Sequence, residues 1–255
     1  MDLTATMRLI QKNYNTSIGK RDGNHCPKCR DRGDYMEILW RDGIPYEMLK
    51  KCECSGVVEN ERRLKNSGLS NMRNFVFDNF YADSPWQENM KNLAMENASI
   101  REWFFIGGSV GSGKTHICSA ICNYIIKHGG QVKYSIWVDD IRDLKRSQMD
   151  QNFKEKINKL KTVDTLYIDD LFKARKEVSA SDLELTYEIL NHRYLNGLKT
   201  IISSEMNIPE ILAIDEAIGS RIQQKCEKYA IDIAKLPGRN YRLKKDELPT
   251  SQGSI

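Results

Sequence analysis

The chain has 255 residues, of which 40% are hydrophobic and 29% are charged, with a formal net charge of +4 at pH 7. These values are typical of a globular protein with one large domain, or with a medium domain and a small one. No apolar run approaches the ~20 residues of a membrane-spanning helix, and the N-terminal segment lacks the apolar core of a signal peptide. We therefore expect a cytoplasmic protein with no membrane partner, whose seven cysteines bind metal or pack in the core.

Residues 1–60 are predicted to form a small zinc-ribbon domain. Cys26 and Cys29 make one close pair and Cys52 and Cys54 make another, which is typical of a Zn²⁺ site with four thiolates. Between the pairs, Asp42-Gly43 marks the turn of a predicted hairpin. Basic residues flank the cysteines, and they would offset the −2 charge of such a site. We favour this interpretation over contact with nucleic acid. The flanking basic residues are Lys28, Arg30, Lys50 and Lys51.

Residues 61–84 are predicted to be a linker, and from Ser84 onward the pattern alternates between helix and strand. Strands are predicted at 103–106, 132–138, 164–168 and 200–204. Helices are predicted at 114–128, 139–160 (broken) and 182–196, with Ser181 capping the last of these. Strands separated by helices indicate an α/β domain over residues 85–245, with a mostly parallel sheet flanked by helices. The tail, residues 246–255, is predicted to be disordered.

The segment "GSVGSGKT" fits the phosphate-binding loop pattern. A polyphosphate needs many backbone N–H donors at close range, so side chains must be small, and the following helix turns its free N–H groups towards the anion. Lys114 would supply a full positive charge, and the Thr115 hydroxyl would ligate Mg²⁺. The predicted phosphate-binding residues are Gly108, Ser109, Val110, Gly111, Ser112, Gly113, Lys114 and Thr115.

Acidic and polar residues end the next two strands. "TLYIDDL" ends in two carboxylates, of which Asp169 would hold Mg²⁺ and Asp170 would orient or deprotonate the attacking water. At the end of "TIISSEMN", Ser204 or Glu205 could sense the terminal phosphate, and a plain strand end explains the pattern about as well. Glu205 would repel the phosphate unless its side chain turned away. This repulsion favours Ser204 as the sensor of the terminal phosphate, or slow hydrolysis of the nucleotide.

The C-terminal region is basic. Residues 219–245 contain eight Lys or Arg and two Asp or Glu, a surplus of +6 compared with +4 for the whole chain. An arginine here could stabilise charge on a transferred phosphoryl group. A face for the phosphate backbone of nucleic acid and an ordinary solvated helix surface are the open alternatives.

Taken together, "GSVGSGKTH", "LYIDDLF", "TIISSE", "IDEAIGSRI" and "YRLK" resemble a replicative helicase loader of the DnaC/DnaI type, which is also close to the IstB-type transposition ATPases. The zinc ribbon and "LKNSGLS…FDNF" resemble the phage and Firmicute-like versions. The resemblance implies an AAA+ P-loop NTPase fold preceded by the ribbon. It also implies ATP and Mg²⁺ at the loop and Asp169, with His116 in the nucleotide site.

By motif match, Arg221 resembles the arginine finger that acts on the adjacent subunit's ATP, and Arg242 resembles the in-chain sensor arginine. The implied activity is ATP-dependent loading of a hexameric replicative helicase, gripped through the N-terminal domain. Single-stranded DNA and self-assembly into an ATP-dependent oligomer are implied as well. A DNA-contacting insert could contain Lys145, Arg146, Lys154, Lys156 and Lys159. Nearby acidic residues dilute that charge; they are Asp143, Asp150 and Glu155. The alternatives are an IstB-like helper that binds duplex DNA and an adaptor that binds nucleotide without hydrolysing it.

Overall fold

The computed structural model describes residues 3–19, 26–173 and 178–243, and it divides the chain into two compact units, Met1–Arg63 and Leu64–Ile255. The tail at 246–255 and the last residue of "YRLK" lie outside the described residues. Within the described ranges, no helix has both the length and the apolarity that crossing a bilayer requires.

The first unit is built on a two-stranded antiparallel hairpin, as predicted. Strands β1 (Asp34–Arg41) and β2 (Ile44–Lys51) are joined by Asp42 and Gly43, whose φ angles of 52° and 79° give the left-handed turn that a tight hairpin needs. Helix α1 (Leu3–Thr16) covers the edge of β1, where the Asn15 side chain bonds both the N–H (2.8 Å) and the carbonyl (2.9 Å) of Met36. Helix α2 (Glu53–Ser67) begins in this unit and ends in the next.

The second unit contains five parallel strands in the order β4-β5-β6-β3-β7. The chain runs through α3 (Pro85–Asn97), β3 (Phe104–Gly108), α4 (Lys114–Lys127), β4 (Val132–Ile136), α5 (Trp137–Ser147), α6 (Phe153–Thr162), β5 (Thr165–Leu171), α7 (Ala180–Leu195), β6 (Lys199–Ser204), α8 (Ile208–Ile214), α9 (Glu216–Cys226) and β7 (Ala230–Ile233). This arrangement confirms the predicted α/β class with a parallel sheet flanked by helices.

Hydrophobic cores lie on both faces of the sheet. On one face Phe104 packs with α4, and on the other Phe105 packs with α7 and α9. The interior strand β3 is therefore buried along its whole length, as expected for a parallel strand covered on both sides.

Two boundaries differ from the sequence predictions. Residues of the predicted linker 61–84 belong to the second unit's core: Leu64, Leu69, Phe77 and Phe80 are all buried there, because their apolar side chains need cover from water. Helix α7 begins two residues earlier than expected, where the Ser179 hydroxyl accepts the Asp182 N–H, so Ser181 is not the cap.

Two buried cations fasten the start of β6. The Arg193 guanidinium donates to the Thr200 hydroxyl (2.9 Å) and to backbone carbonyls at the end of α6, including those of Leu160 (3.0 Å) and Val163 (2.8 Å). Lys199 donates to three carbonyls and one side-chain oxygen in residues 97–102. Burying a polar group without a partner is costly, and these hydrogen bonds pair both cations. They also connect the start of β6 to segments that are distant in sequence.

Candidate nucleotide site and metal centre

The phosphate loop connects the C-terminal end of β3 to the N-terminus of α4. Gly108, Gly111 and Gly113 have φ angles of 100°, 70° and 92°, a region that residues with a side chain rarely adopt. A Cβ at Gly108 would lie 2.0 Å from the Ile233 carbonyl oxygen, so β7 also excludes a side chain there. The sequence thus folds into a glycine turn that leaves the first N–H groups of α4 available to an anion.

Lys114 is buried against this loop. Its ammonium donates to the carbonyls of Gly108 (2.9 Å) and Ser109 (2.6 Å). Burial lowers the pKa of Lys114, whereas the charges of Glu205 and Asp170 raise it. The ammonium is therefore within electrostatic reach of both carboxylates.

Asp169 is enclosed by hydroxyl groups at the end of β5. It is 5% exposed and accepts hydrogen bonds from Tyr134 (2.9 Å), Tyr167 (2.7 Å) and Ser203. The Thr115 hydroxyl lies 3.4 Å from Asp169 Oδ1. A carboxylate beside a hydroxyl at the phosphate loop is a donor set that fits Mg²⁺, so Thr115 and Asp169 are the residues that would hold this ion.

Ser204 does not reach the cavity beside the loop. It is fully buried, and its hydroxyl donates to the Leu171 carbonyl (2.7 Å). The neighbouring Ser203 instead bonds Asp169 and accepts the Asp170 N–H (3.1 Å). Successive side chains of a strand point to opposite faces of the sheet. Ser203 therefore faces Asp169, whereas Ser204, one residue later, faces the core.

A turn over residues 170–173, at the end of β5, places Asp170 next to a lysine that sequence reasoning did not identify. Asp170 and Phe172 both have left-handed backbone conformations, with φ angles of 59° and 61°. Lys173 lies 2.8 Å from Asp170 Oδ2 and 3.3 Å from Glu205 Oε1. The ion pair with Lys173 provides Glu205 with a counter-charge, which was not predicted from the sequence.

These side chains surround a cavity of about 370 Å³. The phosphate loop from Val110 onward forms its floor, and its other lining residues are Phe75, His116, Asp170, Lys173, Glu205, Tyr241 and Arg242. The His116 ring stacks on Phe75 with centroids 4.8 Å apart, and its Nε2–H donates to the Val76 carbonyl (3.0 Å). Burial lowers the pKa of His116, which favours the neutral ring.

A C-terminal strap, residues 238–243, lies against the phosphate loop. The Tyr241 N–H donates to the Gly111 carbonyl (3.0 Å), and the Tyr241 hydroxyl donates to Gln87 (3.0 Å). Arg242 follows directly and lines the cavity. The strap thus brings the predicted sensor arginine to the loop.

Arg221 does not line this cavity. Its side chain bonds Asn191 (3.1 Å), the Ala217 carbonyl (2.8 Å) and the Tyr187 hydroxyl (3.2 Å) on α7 and α9. It also lies 4.9 Å from the centre of the Tyr187 ring. The Arg221 side chain is therefore held between α7 and α9 and lies outside this cavity.

Three of the lysines considered for DNA contact are engaged in ion pairs. Lys145 pairs with the buried Asp182 (2.6 Å), Lys156 with Asp143 (2.8 Å) and Lys159 with Glu155 (2.8 Å). These pairs reduce the positive charge that α5 and α6 offer to a phosphate backbone.

The N-terminal unit gathers its four cysteines into one cluster. The sulfur atoms of Cys26, Cys29, Cys52 and Cys54 all lie within 4.8 Å of one another, with Cys26 and Cys52 3.7 Å apart. A tetrahedral Zn²⁺ site with four thiolates has sulfurs about 3.8 Å apart, so the cluster fits that ion. Burial raises the pKa of Cys29, but the Gly33 N–H and the other thiols outweigh this effect and lower it to about 7.

Comparison with known proteins identifies a family for most of the chain. Residues 60–248 match the model of the IstB-like ATP binding protein family. The Bacillus subtilis protein YqaM is 35% identical over 76% of this chain, and the alignment covers 65% of YqaM. The XkdC protein of the phage-like element PBSX, from the same organism, is 30% identical over 82% of each chain.

Among solved structures, that of the DnaC helicase loader superposes on 66% of this chain and 99% of its own, with a TM-score of 0.55 and 18% identity. At this identity the likeness concerns the fold. It agrees with the AAA+ fold that the sequence motifs imply.

Proposed function

Because the chain belongs to the IstB-like ATP-binding protein family, we propose that it is an ATPase that loads a replicative DNA helicase onto DNA. The observation that carries this proposal is the phosphate loop at the end of the interior strand β3, where Lys114 is buried against the loop and Asp169 lies next to Thr115. The fold shared with the DnaC helicase loader is the reason for naming a hexameric helicase as the partner. We propose the cytoplasm as its location, because a helicase loader acts where the DNA is replicated.

ATP is the proposed ligand of the cavity. Backbone N–H groups of residues 108–115 and the Lys114 ammonium bind its phosphates, and Arg242 contacts them from the strap. Mg²⁺ at Thr115 and Asp169 would neutralise phosphate charge. Asp170 is proposed to orient the attacking water, and the Phe75–His116 pair provides a flat surface for the base.

Arg221 is proposed to serve the nucleotide of a neighbouring copy. Its absence from the lining of its own cavity supports this role, because an arginine that acts on phosphate has to reach one. The site is then complete only between two subunits. Self-assembly of the chain in the presence of ATP follows from this proposal.

The N-terminal unit, Met1–Arg63, which contains the four-cysteine cluster, is the proposed helicase-binding element. Its hairpin exposes large apolar side chains: Trp40 is 59% exposed, Ile44 66% and Leu49 55%. Exposed apolar groups on a small unit are typical of a protein–protein contact. Single-stranded DNA is proposed as the second partner, but with Lys145, Lys156 and Lys159 engaged in ion pairs, we assign its binding to no individual lysine of α5 or α6.

The test is a loading assay with the purified chain, the host's replicative helicase and circular single-stranded DNA. Wild-type protein with ATP should increase the helicase recovered on DNA after gel filtration, and Lys114→Ala should not. Lys127→Ala, an exposed change at the far end of α4, is the matched control and should behave as wild type. Equal recovery with wild type and Lys114→Ala would refute ATP-dependent loading.

Two other functions have support from particular observations. The family description favours an IstB-like transposition helper, which would bind duplex DNA and a transposase instead of a helicase. The ion pair between Asp170 and Lys173 favours an adaptor that does not hydrolyse ATP, for which Asp170→Ala would leave loading intact.

A further inference from the structure

The nucleotide cavity contains a second lysine that the phosphate-loop pattern does not explain. Lys173 lies between two carboxylates, 2.8 Å from Asp170 and 3.3 Å from Glu205. All three residues line the same cavity as Lys114 and Thr115. The Lys173 side chain is 37% exposed, so a ligand in the cavity can reach it.

The charges around this lysine decide whether a terminal phosphate can bind. Asp170 and Glu205 are both acidic, and a phosphate brought next to them meets like charge. Lys114 is buried at the loop, where its ammonium bonds the carbonyls of Gly108 and Ser109. Within the described part of the chain, Lys173 is the cation that forms direct ion pairs with both carboxylates.

The local backbone fixes the base of Lys173 while its side chain can still move. Asp170 and Phe172 have φ angles of 59° and 61°, and Phe172 is buried at 4% exposure. The Lys173 N–H closes the turn on the Asp170 carbonyl (3.0 Å). A lysine stem has four rotatable bonds, so the ammonium can change partners without a change in the fold.

We propose that Lys173 recognises the terminal phosphate of a nucleoside triphosphate. A bound triphosphate takes the ammonium away from Asp170 and Glu205, and a diphosphate, which lacks that group, leaves the ion pairs in place. Lys173 then distinguishes ATP from ADP and frees the Asp170 carboxylate only when the triphosphate is present. This inference rests on the proposed function, since it requires the cavity to bind ATP.

The test compares the affinities of the full-length, zinc-loaded protein for AMPPCP and ADP by calorimetry with Mg²⁺. Lys173→Met should weaken AMPPCP binding about tenfold or more, the size expected for a hydrogen bond to a charged group, and should change ADP binding less than about twofold. Lys173→Arg keeps the charge and should retain most of the preference for the triphosphate. Glu205→Gln removes a competing carboxylate and should strengthen AMPPCP binding selectively.

An equal loss of AMPPCP and ADP affinity in Lys173→Met would overturn the inference, as would unchanged affinities. If Lys173→Met does not fold, Glu205→Gln decides: a gain confined to AMPPCP supports the inference, and any other result contradicts it. A wild-type protein that binds neither nucleotide would refute the proposed function itself. The two failures are therefore distinguishable.

Discussion

Lys199 allows a test of how β6 is fastened to the segment before β3. Lys199 is 6% exposed, and burial lowers its pKa from 10.5 to about 8. Between these two values the unfolded chain binds more protons than the folded one, so the free energy of unfolding rises with pH across this window. From pH 7 to pH 9.5 the expected contribution of this group is about 2 kcal/mol.

The assay is urea unfolding, followed by tryptophan fluorescence at several pH values from 7 to 9.5. Relative to Lys199→Met, the wild-type protein should gain about 2 kcal/mol over this range, because methionine has no proton to lose. Lys154→Met, at an exposed position, should follow the wild type and correct for other groups that titrate. Parallel curves for wild type and Lys199→Met would refute the reasoning.

Three further predictions concern the metal, the subunit contact and the core. Cys52→Ser should abolish binding of about one zinc per chain, measured by metal analysis, whereas Cys118→Ala in the buried core should retain it. Arg221→Ala should lower ATP turnover on the order of 10³-fold, and mixing it with Lys114→Ala should restore part of the activity if the arginine acts between subunits. Arg193→Met should lower the free energy of unfolding in urea by about 3 kcal/mol, because buried carbonyls lose their donor.

Each of these predictions has an outcome that contradicts it. Full zinc content in the Cys52→Ser protein would argue against a four-thiolate site. Mixtures of the Arg221 and Lys114 variants that stay inactive would place the arginine's effect within one chain. A loss of less than about 1 kcal/mol in Arg193→Met would mean that water replaces the missing donor.

The sheet was predictable because its interior strands are short apolar runs between amphipathic helices. Strand β7, residues Ala230–Ile233, was missed because it has four residues, pairs with β3 alone and is only partly buried. Helix α1 was missed for a related reason: none of its side chains is buried. It is held to β1 by hydrogen bonds from the polar side chains of Gln11 and Asn15 to the backbone of Met36.

In the candidate site, the phosphate loop could be located from the spacing of its glycines, but its neighbours could not. Ser203 and Ser204 are adjacent and polar, so only the register of β6 decides which one faces Asp169. The position of Lys173 depends on left-handed backbone at Asp170 and Phe172, which is uncommon for residues other than glycine. A sequence gives no reason to expect such a turn.

The hydrogen bond between the Tyr241 N–H and the Gly111 carbonyl has a practical consequence for experiments. Leu243 follows two residues later and is 77% exposed, so a fluorophore attached there would report nucleotide exchange in real time.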